Sequence, residues 1–295
     1  MEPQHIAVIG SGAVGGVLAA AAHEAGHRVT ACVRTPFEKL ALDTPEGRQE
    51  VPAEIATAPD EVAGADWVLL STKVQDVPGT EPWLRALDDG SAPIVLVHNG
   101  VEHRRSVAAF GLRGPLLPAL IYVAAERTRP GHVIRRSGAR MFVEGGALGA
   151  RFAALLAGSG VRIEEAEDFR TAAWRKMLVN IAANPITALT LRRLDVLDSP
   201  EVRELASGVL AEAVAVANAE GAALSWSDAE AVLDGYTKTF SADSGTSMLY
   251  DRLAGLPTEH DHITGPVVAG GREHGIPTPY NRTLLTLLRA LRPAS

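Results

Sequence analysis

Cysteine is nearly absent: Cys32 is the only one in 295 residues. A lone thiol cannot build an intramolecular disulfide framework, and such usage fits a reducing compartment, so a cytoplasmic protein is expected. Cys32 falls within an apolar strand and reads as a small core residue, not a nucleophile. Long apolar runs are also missing. No stretch reaches the ~20 residues of a membrane-spanning helix, and the apolar N-terminus is short and lacks a basic leader, so neither a membrane partner nor a signal peptide is expected. Positive charge is not in excess either. Lys and Arg number 28 against 35 Asp and Glu, a formal net charge of −7, which argues against a nucleic-acid partner. A small anionic ligand held by a local cation cluster stays open. There is no internal repeat or low-complexity tract; the Ala-rich run 211–223 is ordinary helix. What remains, 46% hydrophobic and 21% charged residues, is a globular composition on a chain long enough for two domains with their own cores.

The chain is organised around its beginning. The apolar strand Ile6-Ala7-Val8-Ile9 runs into Gly10-Ser11-Gly12-Ala13-Val14-Gly15, and a helix over 13–25 stops at Gly26. In this G-x-G-x-x-G, Gly10 allows a tight turn, Gly12 lets backbone approach a pyrophosphate, and Gly15 lets the helix pack on the strand. The phosphates would sit on free N–H groups at the helix N-terminus. With a second strand over 28–33 at βαβ spacing, a dinucleotide site is expected. The second strand ends on Arg34-Thr35, where an NAD site has an acid for the ribose 2′-OH. A cation there suits a 2′-phosphate, at about 1.5–3 kcal/mol for a charged hydrogen bond, so NADPH is expected over NADH; the other reading of Arg34 is a solvated surface residue.

Further strands are expected at 66–71, ending at Lys73, and at 93–97, ending at His98-Asn99-Gly100; 53–58 is a weaker strand. Ligands of doubly wound sheets lie outside the carboxyl ends of strands. Lys73 could therefore meet a cofactor phosphate or ribose and Asn99 the nicotinamide, or both could be solvated loop residues. Residues 116–124 read as another strand, 132–136 and 141–145 as an antiparallel pair around Ser137-Gly138, 147–158 as a helix and 161–164 as a last strand.

From Asp168 the pattern is helical. Ser199-Pro200-Glu201 is a helix start, and that helix runs to Glu220 and stops at Gly221. Further helices are expected at 227–240, 244–253, 258–273 and 279–291. The fold class is thus an α/β Rossmann-type domain, 1–167, followed by an all-α domain, 168–295. Within the helical half, Lys176, Asn180 and Asn184 recur every fourth residue and form one polar stripe between apolar neighbours. Buried, Lys176 would need compensation; facing a cleft, the stripe is a row of donors for a polar substrate; on an outer face, more charges would be usual. Pro185 should bend or end the helix after Asn184.

These pieces together resemble the ketopantoate reductase (2-dehydropantoate 2-reductase) family, in order and across nearly the whole chain. The resemblance rests on the glycine loop, Lys73, His98-Asn99-Gly100, the segment Trp174-Arg175-Lys176…Asn180…Asn184-Pro185, and Ser247-Met248…Asp251-Arg252…Gly255…Pro257-Thr258-Glu259…Asp261…Gly265. It implies that Lys176 is the general acid protonating the carbonyl oxygen as hydride arrives from NADPH, and that Glu259 orients the substrate. Asn180, Asn184 and Ser247 would hold the substrate's hydroxyl and carboxylate, Lys73 and Asn99 would lie at the cofactor, and Arg34 at its 2′-phosphate. It also implies an active site in a cleft between the domains. The substrate would be ketopantoate, in pantothenate biosynthesis, and a homodimer is possible.

Two departures bear on the substrate. His98 stands where the family usually has Gln, and Thr190-Leu191-Arg192-Arg193-Leu194-Asp195 lacks an Asn-Gly pair that helps line the family's pocket. A reductase of another 2-oxo acid, or an NADP(H)-binding regulator without turnover, are the alternatives. His260-Asp261-His262 looks metal-like, but residues two apart on a helix face different ways, and no metal is expected. His98 could donate a proton or simply hydrogen-bond within its loop.

Overall fold

The computed structural model describes residues 2–62, 64–238 and 243–291. The chain divides into two units, one of Met1–His98 with Glu102–Phe169 and one of Asn99–Val101 with Arg170–Ser295.

The strands described, all in the first unit, are β1 (His5–Ile9), β2 (Arg28–Cys32), β3 (Leu40–Thr44), β4 (Gly47–Val51), β5 (Glu54–Ala56) and β6 (Trp67–Leu70), then β7 (Ile94–Val97), β8 (Leu116–Tyr122), β9 (Ala125–Arg129), β10 (His132–Arg135), β11 (Ala139–Glu144) and β12 (Val161–Ala166). Its helices are α1 (Ala13–Glu24), α2 (Glu81–Leu87), α3 (His103–Val107) and α4 (Ala147–Leu155). An eight-stranded sheet runs β12-β11-β8-β7-β6-β1-β2-β5, parallel except where β8 meets β11. β1 shows why the strands are uniformly apolar. Ile6 and Val8 enter one core with α1, Ala7 and Ile9 the opposite core with Leu84 and Val107, so the sheet is covered on both faces. Cys32 is buried in that second core, and burial pushes its thiol up to about 12, which keeps it un-ionised and inert.

A second sheet, β4-β3-β10-β9, packs against α1 as well. Gly16 makes the approach possible, since a Cβ there would lie 2.6 Å from Val133 Cγ2. This sheet corrects the expectation of a hairpin around Ser137-Gly138. β10 pairs with β3 and β9, while β11 pairs with β8 and β12. The Ser-Gly turn carries the chain from one sheet to the other. A turn dipeptide sets a change of direction but not the partner, and β9 (Ala-Glu-Arg-Thr-Arg) is an exposed edge strand with no apolar alternation to announce it.

The second unit is built on α5 (Phe169–Thr190), α6 (Pro200–Ala219), α7 (Trp226–Lys238), α8 (Ser247–Leu253), α9 (His260–Ile263), α10 (Gly265–Glu273) and α11 (Pro279–Ala290). Trp174, Met177, Leu178, Ile181 and Ile186 of α5 form the centre of its core, with Val101 packed against it. Two expectations are corrected. The helix foreseen over 258–273 is two, broken at Thr264, because Pro266 has no N–H to continue a ladder and instead opens α10. And α5 does not end at Asn184: it runs through Pro185 to Thr190. Thr187 Oγ1 donates to Ala183 O at 2.8 Å and Thr190 Oγ1 to Ile186 O at 2.7 Å, side-chain bonds that accompany bent helices. The end expected for α7 at Phe240 lies outside the described residues. Among the described residues no helix is long and apolar enough to cross a membrane.

Candidate active site

The β1–α1 loop separates the work of its three glycines. Gly10 has φ +92°, and a Cβ on it would lie 2.6 Å from Thr72 Cγ2. At Gly15 a Cβ would lie 1.9 Å from Gly10 O. At Gly12 it would meet nothing within 4 Å. Gly10 and Gly15 are thus demanded by the fold itself, while Gly12 faces open space at the N-cap of α1, where no side chain caps the helix. The first rung of that helix is Gly16 N–H to Gly12 O, at 2.9 Å, so the N–H groups before it have no helical acceptor. Ser71 Oγ braces the turn from the end of β6, donating to Gly10 O at 2.8 Å. β1 lies between β2 and β6, and chain order reverses there, at the switch point where such sheets bind ligands. An open glycine front, free N–H groups and a helix dipole fit a dinucleotide pyrophosphate. Ser11 is buried in this loop. Ala13 and Val14 open α1. Lys73 follows β6, half-buried. Arg34, just past β2, is 87% exposed, its Nη2 3.9 Å from Asp76 Oδ2.

The polar stripe of α5 belongs to the helical unit, and the structure joins part of it to two distant residues. Lys176 Nζ donates to Asn99 Oδ1 at 3.2 Å, and Asn99 Nδ2 donates to Glu259 Oε2 at 3.4 Å. Glu259 is 5% exposed. Burial pulls Lys176 from 10.5 down to about 8, against the carboxylate of Glu259, which raises it. Asn99, read from sequence as a cofactor residue, therefore has its side chain between the cation and the acid. Gly100 seats it: φ is +111°, and a Cβ would lie 3.4 Å from His262 O and 4.0 Å from Met177 Cε, which holds the turn against α5 and α9.

Asn180 is half-buried. Asn184 is 3% exposed, and its Nδ2 has no hydrogen-bond partner among the described residues. A buried amide donor without an acceptor is costly and marks a place for a ligand's oxygen. Ser247 is exposed on the first turn of α8. The preceding Thr246 caps α8 by accepting Leu249 N–H at 3.2 Å and lies 2.7 Å from Thr187 Oγ1 of α5. A residue that sequence reasoning missed is Tyr236, whose hydroxyl donates to Val179 O on α5 at 2.6 Å. An aromatic inside an amphipathic helix gives no sequence signal of such a contact.

His98 follows β7 with its ring stacked on His103 at 4.6 Å and its Nε2 3.1 Å from Ser106 Oγ on α3. His260 Nδ1 lies 2.7 Å from Thr258 Oγ1 and Asp261 pairs with Arg289. Among the described residues no group of three or more His, Cys, Asp or Glu could hold a metal ion. The altered stretch after α5 is tied to its own surroundings: Arg192 to Asp195, Arg193 to Asp243 O, and Leu194 N–H to Ser244 O at 3.0 Å.

A dinucleotide loop on a parallel sheet, followed by a helical unit that links a half-buried lysine through an amide to a buried carboxylate, defines a dinucleotide-dependent oxidoreductase. The chain belongs to the ketopantoate reductase family: the family descriptions Ketopantoate reductase PanE/ApbA and Ketopantoate reductase PanE/ApbA C terminal match residues 6–145 and 168–292. It is 40% identical to 2-dehydropantoate 2-reductase of Caulobacter vibrioides over 97% of this chain and 98% of that one. A crystal structure of a PanE/ApbA family ketopantoate reductase from Ralstonia eutropha JMP134 superposes with a TM-score of 0.90 at 31% identity, covering 97% of each chain. A dimeric ketopantoate reductase from Staphylococcus aureus superposes at 0.87 with 26% identity, covering 97% of this chain and 98% of that one.

Proposed function

We propose that the protein reduces a 2-oxo acid with NADPH, converting 2-dehydropantoate to pantoate, in a cleft between its two domains. The observation that carries this is the Lys176–Asn99–Glu259 chain of hydrogen bonds. NADPH, when bound, supplies the hydride to the carbonyl carbon. Lys176 gives its proton to the carbonyl oxygen as negative charge develops there, so the products are the 2-hydroxy acid and NADP+. An acid of pKa about 8 is protonated in most molecules at pH 7 and is a stronger donor than an ordinary lysine. Asn99 keeps the ammonium in place. Glu259 holds Asn99, accepts from the substrate's hydroxyl, and sustains the charge on Lys176. The unsatisfied Nδ2 of Asn184, with Asn180 and Ser247, supplies donors for the substrate's carboxylate and hydroxyl. Gly10, Ser11, Gly12, Ala13, Val14 and Gly15 form the pyrophosphate loop, Lys73 assists at the cofactor, and Arg34 takes the 2′-phosphate.

A second reading, reduction of a different 2-oxo acid, is favoured by one stretch. After α5, Leu191 is left-handed, φ 56°, in a segment without the Asn-Gly pair expected of the family. A regulator without turnover has no use for a proton donor of lowered pKa. A cytoplasmic homodimer is the assembly we propose, by analogy with the dimeric Staphylococcus aureus protein.

The test is NADPH oxidation by the purified protein with ketopantoate, beside other 2-oxo acids, with NADH as control. Turnover with ketopantoate and preference for NADPH are expected. Turnover with another oxo acid alone selects the second reading. NADPH binding without oxidation by any oxo acid overturns both.

A further inference from the structure

Three successive rungs of α5 differ from one another. The first joins Val179 O to Ala183 N–H, and the hydroxyl of Tyr236 enters at its acceptor: it donates to Val179 O at 2.6 Å and lies 3.4 Å from Leu178 O. The second, in helical geometry, runs from Asn184 N–H to Asn180 O and links the two amide residues of the stripe. The third is missing its donor, because residue 185 is proline and offers no N–H to Ile181 O. The backbone that carries Asn180 and Asn184 is therefore flanked by one rung shared with a side chain from α7 and one rung that cannot form. Helices bend where a side chain enters the ladder and where proline interrupts it. Here the two causes lie on either side of the same pair of amides.

We propose that Tyr236 is a positioning residue for the substrate: its hydroxyl, bonded into α5 beside Pro185, sets the orientation of Asn180 and Asn184 toward the 2-oxo acid. This rests on the reading above that those amides hold the substrate. Tyr236 is 3% exposed, and burial raises its pKa well above the ordinary phenol value, so it stays a neutral hydroxyl that donates. The Nδ2 of Asn184 has no partner among the described residues, so its aim follows the backbone. Without the hydroxyl, Val179 O loses its second donor, the helix is no longer held to its bend at this rung, and Asn184 shifts with it.

Tyr236→Phe keeps the ring and removes only the oxygen. In steady-state kinetics with ketopantoate and NADPH it is expected to raise the substrate KM about tenfold, since small misplacements of a binding group are costly. It should leave kcat within about threefold by the same principle and NADPH affinity unchanged. Asn184→Ala is expected to raise the same KM, and the double variant to be no worse than Asn184→Ala alone, because both act through one amide. Three outcomes overturn the proposal: a normal KM in Tyr236→Phe while Asn184→Ala is impaired, which leaves the reading of the amides intact; multiplicative effects in the double variant, which would place Tyr236 elsewhere; or a normal KM in Asn184→Ala, which removes the reading of that amide and the proposal with it. Should Tyr236→Phe melt below the assay temperature, the same kinetics are run below its melting point beside the natural protein, where a normal KM counts against the proposal equally.

Discussion

Lys176 donates to the amide oxygen of Asn99 across 3.2 Å. That amide is thereby oriented, oxygen toward the ammonium and nitrogen toward Glu259, with each end meeting the partner its polarity suits. An amide carries no net charge, so it steadies the ammonium without neutralising it. Burial is then free to lower the lysine to about 8 while Glu259 pulls the other way. The balance is a cation that exists at neutral pH and parts with its proton readily.

The first prediction concerns pH. With Lys176 in its proposed role as proton donor, kcat/KM should be level through neutrality and fall as pH rises through about 8. Glu259→Gln removes the charge that raises the lysine, so the basic limb should move to lower pH. A limb that stays in place in Glu259→Gln would separate it from the titration of Lys176.

Activity and stability should part company at Lys176. Lys176→Met is expected to lower kcat by about 10²–10⁴ and to leave NADPH affinity nearly intact. The folded-state pKa of about 8 lies below the ordinary lysine value of 10.5, so between those values the unfolded chain binds more protons and stability rises with pH. Below that window the folded protein bears the full cost of a desolvated cation. Lys176→Met should therefore melt higher than the natural protein at pH 7, and the gain should shrink as pH approaches 10.5. An equal or lower melting point at pH 7 would show that the buried cation is compensated.

Two glycines of the first loop should fail in opposite ways. A Cβ at Gly15 would lie 1.9 Å from Gly10 O, a backbone atom that cannot move aside, so Gly15→Ala should destabilise the fold itself. Gly12 has φ −70° and open space before it, so Gly12→Ala should melt normally and lose affinity for NADPH. Thermal melts beside NADPH titrations check both, and normal NADPH binding by Gly12→Ala would take the pyrophosphate away from that residue.

How much of this could be read beforehand depends on separation along the chain. The glycine loop and its strand lie within ten residues, and the stripe of Lys176, Asn180 and Asn184 follows the helical period, so both were legible. The bonds that make the stripe a site were not, because they span 77 residues from Asn99 to Lys176 and 160 from Asn99 to Glu259. No local pattern encodes a contact at that range. The strand-end position of Asn99 suggested a place beside the cofactor but gave no sign of its bonds to Lys176 and Glu259. The small sheet was missed for a different reason: β4 and β9 are mostly exposed and lack the apolar alternation that marks a strand. Pro185 was misjudged because a proline's local preference to stop a helix was overridden by the core on both sides, where Ile181, Ala182, Ile186 and Ala188 are all buried.

The last prediction separates cofactor choice from stability. Arg34 is 87% exposed and its contact with Asp76 is 3.9 Å, an ion pair of the kind that contributes little to folding. Neither Arg34→Ala nor Asp76→Asn should change the melting point by more than about a degree on that ground. Their effects on cofactor choice should have opposite signs. If Arg34 takes the 2′-phosphate as proposed, Arg34→Ala removes a charged hydrogen bond and should lower the ratio of NADPH to NADH affinity by about ten- to a hundredfold, less at high salt, where an exposed charge is screened. Asp76→Asn frees Arg34 from its competing carboxylate and takes a negative charge away from an incoming phosphate, so the same ratio should rise. Binding of both nucleotides to the two variants decides it. A ratio unmoved by Arg34→Ala would show that the strand-end arginine is only a solvated residue, and the preference for NADPH would then need another source.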